Sequence, residues 1–212
     1  MNEKQQYVWY ASYGSNINAD RFLCYIKGGQ PEGSAQVETG CNDSSLPVDE
    51  SIFTINRPLY FAKEAARWES KGVAFIGLNK DNETRTYSKK YLITIEQFLD
   101  VVKQENNGAN FEIDLNEVKR KGSKIFDHHS WYGNILYLGE EKDFPIYTFT
   151  APWDINDVDW KKPSHAYLKT IIKGLKKDYS VEEIYSYFQN KQGIKDKYSY
   201  EELASVIFGK CV

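Results

Sequence analysis

Apolar residues follow two rhythms along this chain. Tyr7-Val-Trp-Tyr10 is a short apolar run that reads as a strand. From Ala19 to Lys27 the spacing of Phe22, Tyr25 and Ile26 becomes one face of a helix, with Asn18 as N-cap and Gly28-Gly29 as its stop. Residues 28–51 are crowded with Gly, Pro, Ser, Asn and Asp and read as a long loop. Ile52–Ile55 and Leu59–Ala62 are strand signals on either side of Pro58, which marks an edge or a break. Gly72–Leu78 reads as a buried strand, Asn79–Glu83 as a turn and Thr84–Ile93 as β-rich, and the three together predict a hairpin.

A helix follows. Thr94-Ile-Glu-Gln97 is a capping box, and Ile95, Phe98, Leu99 and Val102 form the core face up to Asn106-Asn107-Gly108. Strands are expected at Phe111–Leu115, Asn134–Leu138 and Ile146–Thr150. The charged and then aromatic stretch Asn116–Gly133 shows neither period. The last quarter is helical. Pro163-Ser164 opens a helix with Tyr167, Leu168, Ile171, Ile172 and Leu175 on one face. Ser180…Glu183 and Ser199…Glu202 read as capping boxes ahead of two amphipathic C-terminal helices. Strands first and helices after predict an α+β fold with a largely antiparallel sheet. The expected division is a domain over residues 1–177 and a helical extension, 178–212, packed on it.

Two features on this framework carry possible chemistry. The first is Tyr13-Gly14-Ser15-Asn16, where a strand breaks and re-enters a helix. Such a turn presents backbone N–H groups that either serve ordinary structure or hold a carboxylate or oxyanion. The second is Glu105, which lies seven residues after Phe98 and three after Val102. That spacing places a carboxylate on the apolar face, at the C-terminal end of its helix. Poor solvation and the negative end of the helix dipole both favour its neutral form, as a general base or acid near neutral pH requires. A frayed helix end would instead turn Glu105 to water. Tyr147 in a strand and Tyr167 in a first helical turn are either core filler or polar tips in a site.

Other candidates are weaker. Ser15 lacks the Gly-x-Ser-x-Gly spacing of a strained nucleophile turn, and Gly14 lacks the companion glycines of a phosphate loop. His128-His129 point different ways, and His165 stands alone, so no metal is expected. Cys24, Cys41 and Cys211 are an odd number, far apart, which argues against disulfides or zinc and for a reducing cytoplasm.

Composition narrows the partners. Hydrophobic residues at 41% of the 212 positions suffice for a core. A net charge of -3 with no basic stripe does not point to nucleic acid. No apolar stretch approaches the ~20 residues of a membrane span. The opening Met1-Asn-Glu-Lys-Gln-Gln has no apolar segment of a signal peptide. Oligomeric state is not readable.

The order of these pieces resembles the γ-glutamylcyclotransferase-like family. The resemblance rests on Tyr13-Gly14-Ser15-Asn16 with Arg21-Phe22, on Trp68-Glu-Ser-Lys-Gly72-Val-Ala-Phe, and on Lys103-Gln104-Glu105-Asn106. It continues with Phe144-Pro-Ile-Tyr147 and Pro163-Ser164-His-Ala-Tyr167, covering roughly residues 7 to 175. It implies a small mixed β-barrel flanked by helices, with residues 178–212 as extra helices. It also implies release of 5-oxoproline from a small γ-glutamyl amine or peptide without a cofactor. Glu105 would be the general base, Tyr13, Gly14, Ser15 and Asn16 the anion cradle, and Tyr147 and Tyr167 would orient the γ-glutamyl group. Phe111 stands where the family has a Tyr, and the 28–51 loop is long, so the substrate is less defined than the base. The alternative is a binding module on the same fold, for an amino-acid-like ligand or a protein partner, without turnover.

Overall fold

The computed structural model describes residues 6–209. Cys211 and most of the opening segment lie outside them. The elements are β1 (Tyr7–Ser12), α1 (Ala19–Lys27), β2 (Asp49–Ile55), β3 (Leu59–Ala65), β4 (Lys71–Ile76), β5 (Thr86–Thr94), α2 (Ile95–Glu105) and α3 (Leu115–Lys121). They continue with β6 (Ser123–Ile125), β7 (Asn134–Glu141), β8 (Phe144–Thr150), α4 (His165–Leu175), α5 (Val181–Phe188) and α6 (Tyr200–Phe208). The fold is α+β, as expected. Contacts divide the chain into two interleaved units. One holds the described residues up to Ser12 with Asp20–Phe53 and Lys89–Pro152. The other holds Tyr13–Ala19, Thr54–Ser88 and the described residues from Trp153 on.

The first unit is built on a six-stranded sheet in the order β2-β5-β1-β8-β7-β6. Strand β1 runs antiparallel to β5 and parallel to β8, so the sheet is mixed. It ends at β2 and β6 and does not close on itself. This corrects the expected barrel: β3 and β4, which could have extended the sheet, pair with each other as a separate two-stranded sheet. Alternate positions of the central strands supply the core, as period-two burial requires. Tyr10 stacks on Phe149 at 5.3 Å and meets Phe22 of α1 and Phe98 of α2, while Phe22 stacks on Tyr91 at 4.1 Å.

Helix α2 starts at the Thr94–Gln97 capping box. Its buried stripe is Phe98, Val101 and Val102, with Ile95 and Leu99 only half-buried at its flank. The polar side fastens the long loop. Gln97 donates to the carbonyls of Asp43 and Ser45, Asp100 accepts from Asn42 N–H, and Gln104 accepts from Gly40 N–H while donating to Tyr25 O. The 40–45 part of the loop is thereby tied to α2 by hydrogen bonds.

Two further expectations change. Phe111–Leu115 is not a strand. Asp114 caps α3 by accepting from Asn116 and Glu117 N–H, and a satisfied N-cap outweighs the β-propensity of the short apolar run before it. The expected hairpin of Gly72–Leu78 with Thr84–Ile93 does not form. Strand β4 pairs with β3, and β5 joins the large sheet.

The second unit contains the β3–β4 sheet and helices α4, α5 and α6. Its hairpin turns at Glu69 and Ser70, both left-handed at φ 62° and 52°. Gly72 is required there because a Cβ would strike the Lys161 carbonyl, whose neighbour Lys162 O accepts from Gly72 N–H. The Ser180–Glu183 capping box forms as expected. Ser199 caps α6, but the Glu202 side chain does not close the box. It binds Lys162 at 2.5 Å and His165 at 2.9 Å instead. A charge-assisted pair is the stronger partner.

Gly174 lets α4 lie against the turn before α1. A Cβ there would sit 2.6 Å from Asn18 N and 2.7 Å from the Ile17 carbonyl carbon. Gly174→Ala is therefore expected to destabilise the protein by about 1–3 kcal/mol in urea unfolding, despite the better helix propensity of Ala.

Candidate functional site

The strand break expected at Tyr13–Asn16 is a short 3-10 turn, Ser15–Ile17, preceded by Gly14. The turn's own bonds run from Ile17 N–H to Gly14 O and from Asn18 N–H to Ser15 O. The Ser15 and Asn16 N–H groups lie ahead of this short ladder, as the first amides of a helical turn do. Tyr13 and Asn16 are buried and Ser15 is half-buried.

Gly14 has φ -108°, which any residue adopts. Its requirement is spatial. A Cβ would come 3.1 Å from the Tyr167 hydroxyl and 3.6 Å from Ala74 Cβ. Tyr167 enters from the first turn of α4, where Ser164 caps the helix by accepting from Tyr167 N–H. Ala74 N–H of β4 donates to the Tyr167 hydroxyl at 3.1 Å, in a buried setting. Trp68 and Phe61 pack on the phenol ring at centroid distances of 4.8 and 6.4 Å. The second unit thus joins three of its segments, the Gly14 turn, β4 and α4, at one phenolic oxygen.

Glu105 and Tyr147 belong to the first unit. Helix α2 continues through Glu105, and Gln104 beside it is anchored to Gly40 and Tyr25, so this end does not fray. Asn106 closes the helix with its side chain donating to Val102 O at 2.8 Å. Glu105 is half-buried and extends the Phe98–Val102 stripe. Tyr147 is buried on β8 against Phe98. Its hydroxyl donates to Leu115 O at 3.0 Å, and burial pushes its pKa up to about 12. The Tyr147 O–H is thereby committed to a backbone acceptor of α3.

Sequence reasoning missed Trp68 as the wall of Tyr167 and Ala74 N–H as its partner. The Trp68…Gly72 spacing was the available signal for both. Among the described residues no group of three or more His, Cys, Asp or Glu is placed to hold a metal. Cys41 is half-buried, donates to Tyr25 O, and burial raises its pKa to about 12. No helix among the described residues is long and apolar enough to cross a membrane.

The α+β architecture has counterparts among solved structures. The chain shares it with the solved structure of uncharacterized protein loc79017 from Homo sapiens, at TM-score 0.52 and 14% identity over 96% of this chain and 99% of that one. A structure of a gamma-glutamyl cyclotransferase aligns at TM-score 0.49 and 14% identity, over 97% and 100% of the two chains. No protein-family model matches the chain. Among curated proteins, the Histone deacetylase 5 of Arabidopsis thaliana is 39% identical over 184 residues, 79% of this chain. The chain spans 28% of that protein's length.

Because Gly14 serves the Tyr167 hydroxyl, the two positions are coupled. Gly14→Ala is expected to cost about 1–3 kcal/mol by overpacking. Tyr167→Phe is expected to cost a similar amount by leaving Ala74 N–H without its acceptor. The double variant should lose clearly less than the sum, because removing the hydroxyl makes room for the methyl. Urea unfolding of the four proteins measures this.

Proposed function

We propose that the chain is a cyclotransferase-type enzyme that releases 5-oxoproline from a small γ-glutamyl amine or peptide. The observation that carries the reading is Glu105. An intact, anchored helix ends in a half-buried carboxylate that continues an apolar stripe, which is an unusual place for a surface acid and a suitable one for a base. The fold likeness supports the same reading at the level of architecture.

In this mechanism Glu105 takes a proton from the substrate's α-ammonium. The α-nitrogen attacks the γ-carbonyl carbon, a C–N bond closes the five-membered ring, and the bond to the leaving amine breaks. Glu105 passes this proton to that amine, and the second proton shed by the ring nitrogen also goes to it, so substrate gives 5-oxoproline and the protonated amine with no other reactant. The amides of Gly14, Ser15 and Asn16 hold the substrate carboxylate or the oxyanion. Tyr167 fixes the shape of that turn; Tyr147, expected to orient the γ-glutamyl group, is instead buried against Phe98 with its hydroxyl on Leu115 O. Because attack is intramolecular, holding the α-amine near the carbonyl supplies much of the rate.

Purified protein given a panel of γ-glutamyl amines and dipeptides is expected to form 5-oxoproline, measured by chromatography. Glu105→Gln should lower that rate by about 10²–10⁴-fold with an unchanged unfolding transition. A full-rate Glu105→Gln protein would remove Glu105 from the mechanism. Binding of the panel without turnover by the unaltered protein would instead favour the binding-module reading.

A further inference from the structure

A second chemical feature lies in the second unit, on residues the proposed reaction does not use. Just after α5 the chain turns through Gln189 and Asn190, and Lys191 N–H bonds back to Phe188 O. The Lys191 side chain lines an open cleft of about 510 Å³ with Glu83, Arg85, Tyr87, Glu182, Ser186 and Tyr187 among its walls. Tyr87 and Tyr187 form the floor and belong to a stack of three tyrosines. Tyr87 lies face to face with Tyr179 at 4.1 Å and with Tyr187 at 4.2 Å. The Tyr187 hydroxyl also accepts from Tyr87 N–H at 3.2 Å, so the stack is fixed to β5.

The amine of Lys191 sits over the Tyr187 ring at 4.3 Å and donates to Arg85 O at 3.0 Å. No carboxylate oxygen of the described residues lies within ion-pair distance of it, unlike Lys89, Lys90, Lys119, Lys121, Lys124, Lys142, Lys161 and Lys162. The acids of the cleft have other settings. Glu183 caps α5 through Ser180, and Glu83 and Glu182 stand exposed on the walls, with Arg85 as the other cation. An amine needs only one N–H to keep the bond to Arg85 O. It can therefore lose a proton without losing its anchor, and its lone pair is then available to the cleft.

We propose that Lys191 is an acylation site, reacting with small thioester acyl donors that enter the tyrosine-floored cleft. The neutral amine attacks the thioester carbonyl, a C–N bond forms, the C–S bond breaks, and the amine's proton leaves with the thiol. The product is an amide and a free thiol, so no other reactant is needed. Burial pulls the Lys191 pKa down to about 8, against ~10.4 for a free lysine, which supports this chemistry at neutral pH. Desolvation of a lysine in an apolar setting is a recognised way to activate it. The larger neutral fraction is partly offset by lower intrinsic nucleophilicity, so the net gain over an exposed lysine is about tenfold.

The test uses the intact chain and S-acetyl-N-acetylcysteamine, with acetylation of each lysine followed by peptide mass spectrometry from pH 6.5 to 10. Lys191 is expected to react about tenfold faster than exposed Lys27, Lys169 and Lys177 at pH 7.4, with a midpoint near pH 8. A Lys191 rate equal to theirs, or one that climbs to pH 10 without inflection, would overturn the proposal. Tyr187→Leu, which opens the cleft floor, should bring the Lys191 rate toward that of the exposed lysines. An unchanged rate in a variant that still unfolds cooperatively would contradict the role of the cleft. None of these outcomes depends on 5-oxoproline formation.

Discussion

The Tyr167 hydroxyl is the point on which the second unit turns. It accepts a backbone amide from β4 and stands 3.1 Å from where a Cβ at Gly14 would lie, so a side chain there would crowd it. A buried hydroxyl without such a partner would cost a few kcal/mol, so the phenol is held as firmly as the strand that serves it. Gly174, further along α4, lets the same helix approach the far side of the turn at Asn18. Two glycines and one hydroxyl therefore set the path of the chain from Tyr13 to Asn18. A turn built this way presents its amides in a fixed geometry, which is what recognition of a carboxylate or an oxyanion demands.

The first unit solves a different problem, that of placing an acid at the end of an apolar stripe. Phe98, Val101 and Val102 commit α2 to the aromatic core around Tyr10 and Phe149. Gln97, Asp100 and Gln104 on the other side take up the backbone of the 40–45 loop. With both sides fastened, the last turn stays helical and Glu105 keeps its direction. Removing these polar side chains would loosen the helix end before it disturbed the core.

Local signals were legible where one segment decides its own structure. The Thr94–Gln97 and Ser180–Glu183 boxes, the α4 stripe and the strand-to-helix break at Tyr13–Asn16 are all satisfied within a few residues. The sequence was silent or misleading where a distant group decides. Glu202 has the spacing of a capping box but meets Lys162 and His165. Gly14 reads as a turn residue, yet its need comes from a tyrosine on α4. Asp114 as a helix cap overrode a β-like run, and the choice of β3 rather than β5 as partner for β4 left the sheet open. The placing of Glu105 on its helix face was readable from spacing alone, whereas the anchoring of Gln104, which keeps that face, was not.

We propose that the amides of Gly14, Ser15 and Asn16 receive the carboxylate of a pyroglutamyl or γ-glutamyl group. Backbone amide shifts recorded during titration with 5-oxo-L-proline test it directly. Saturable shifts are expected at Gly14, Ser15 and Asn16, with smaller ones at Ala74 through the Tyr167 hydroxyl. Saturable binding that moves other amides and leaves these unchanged would contradict it.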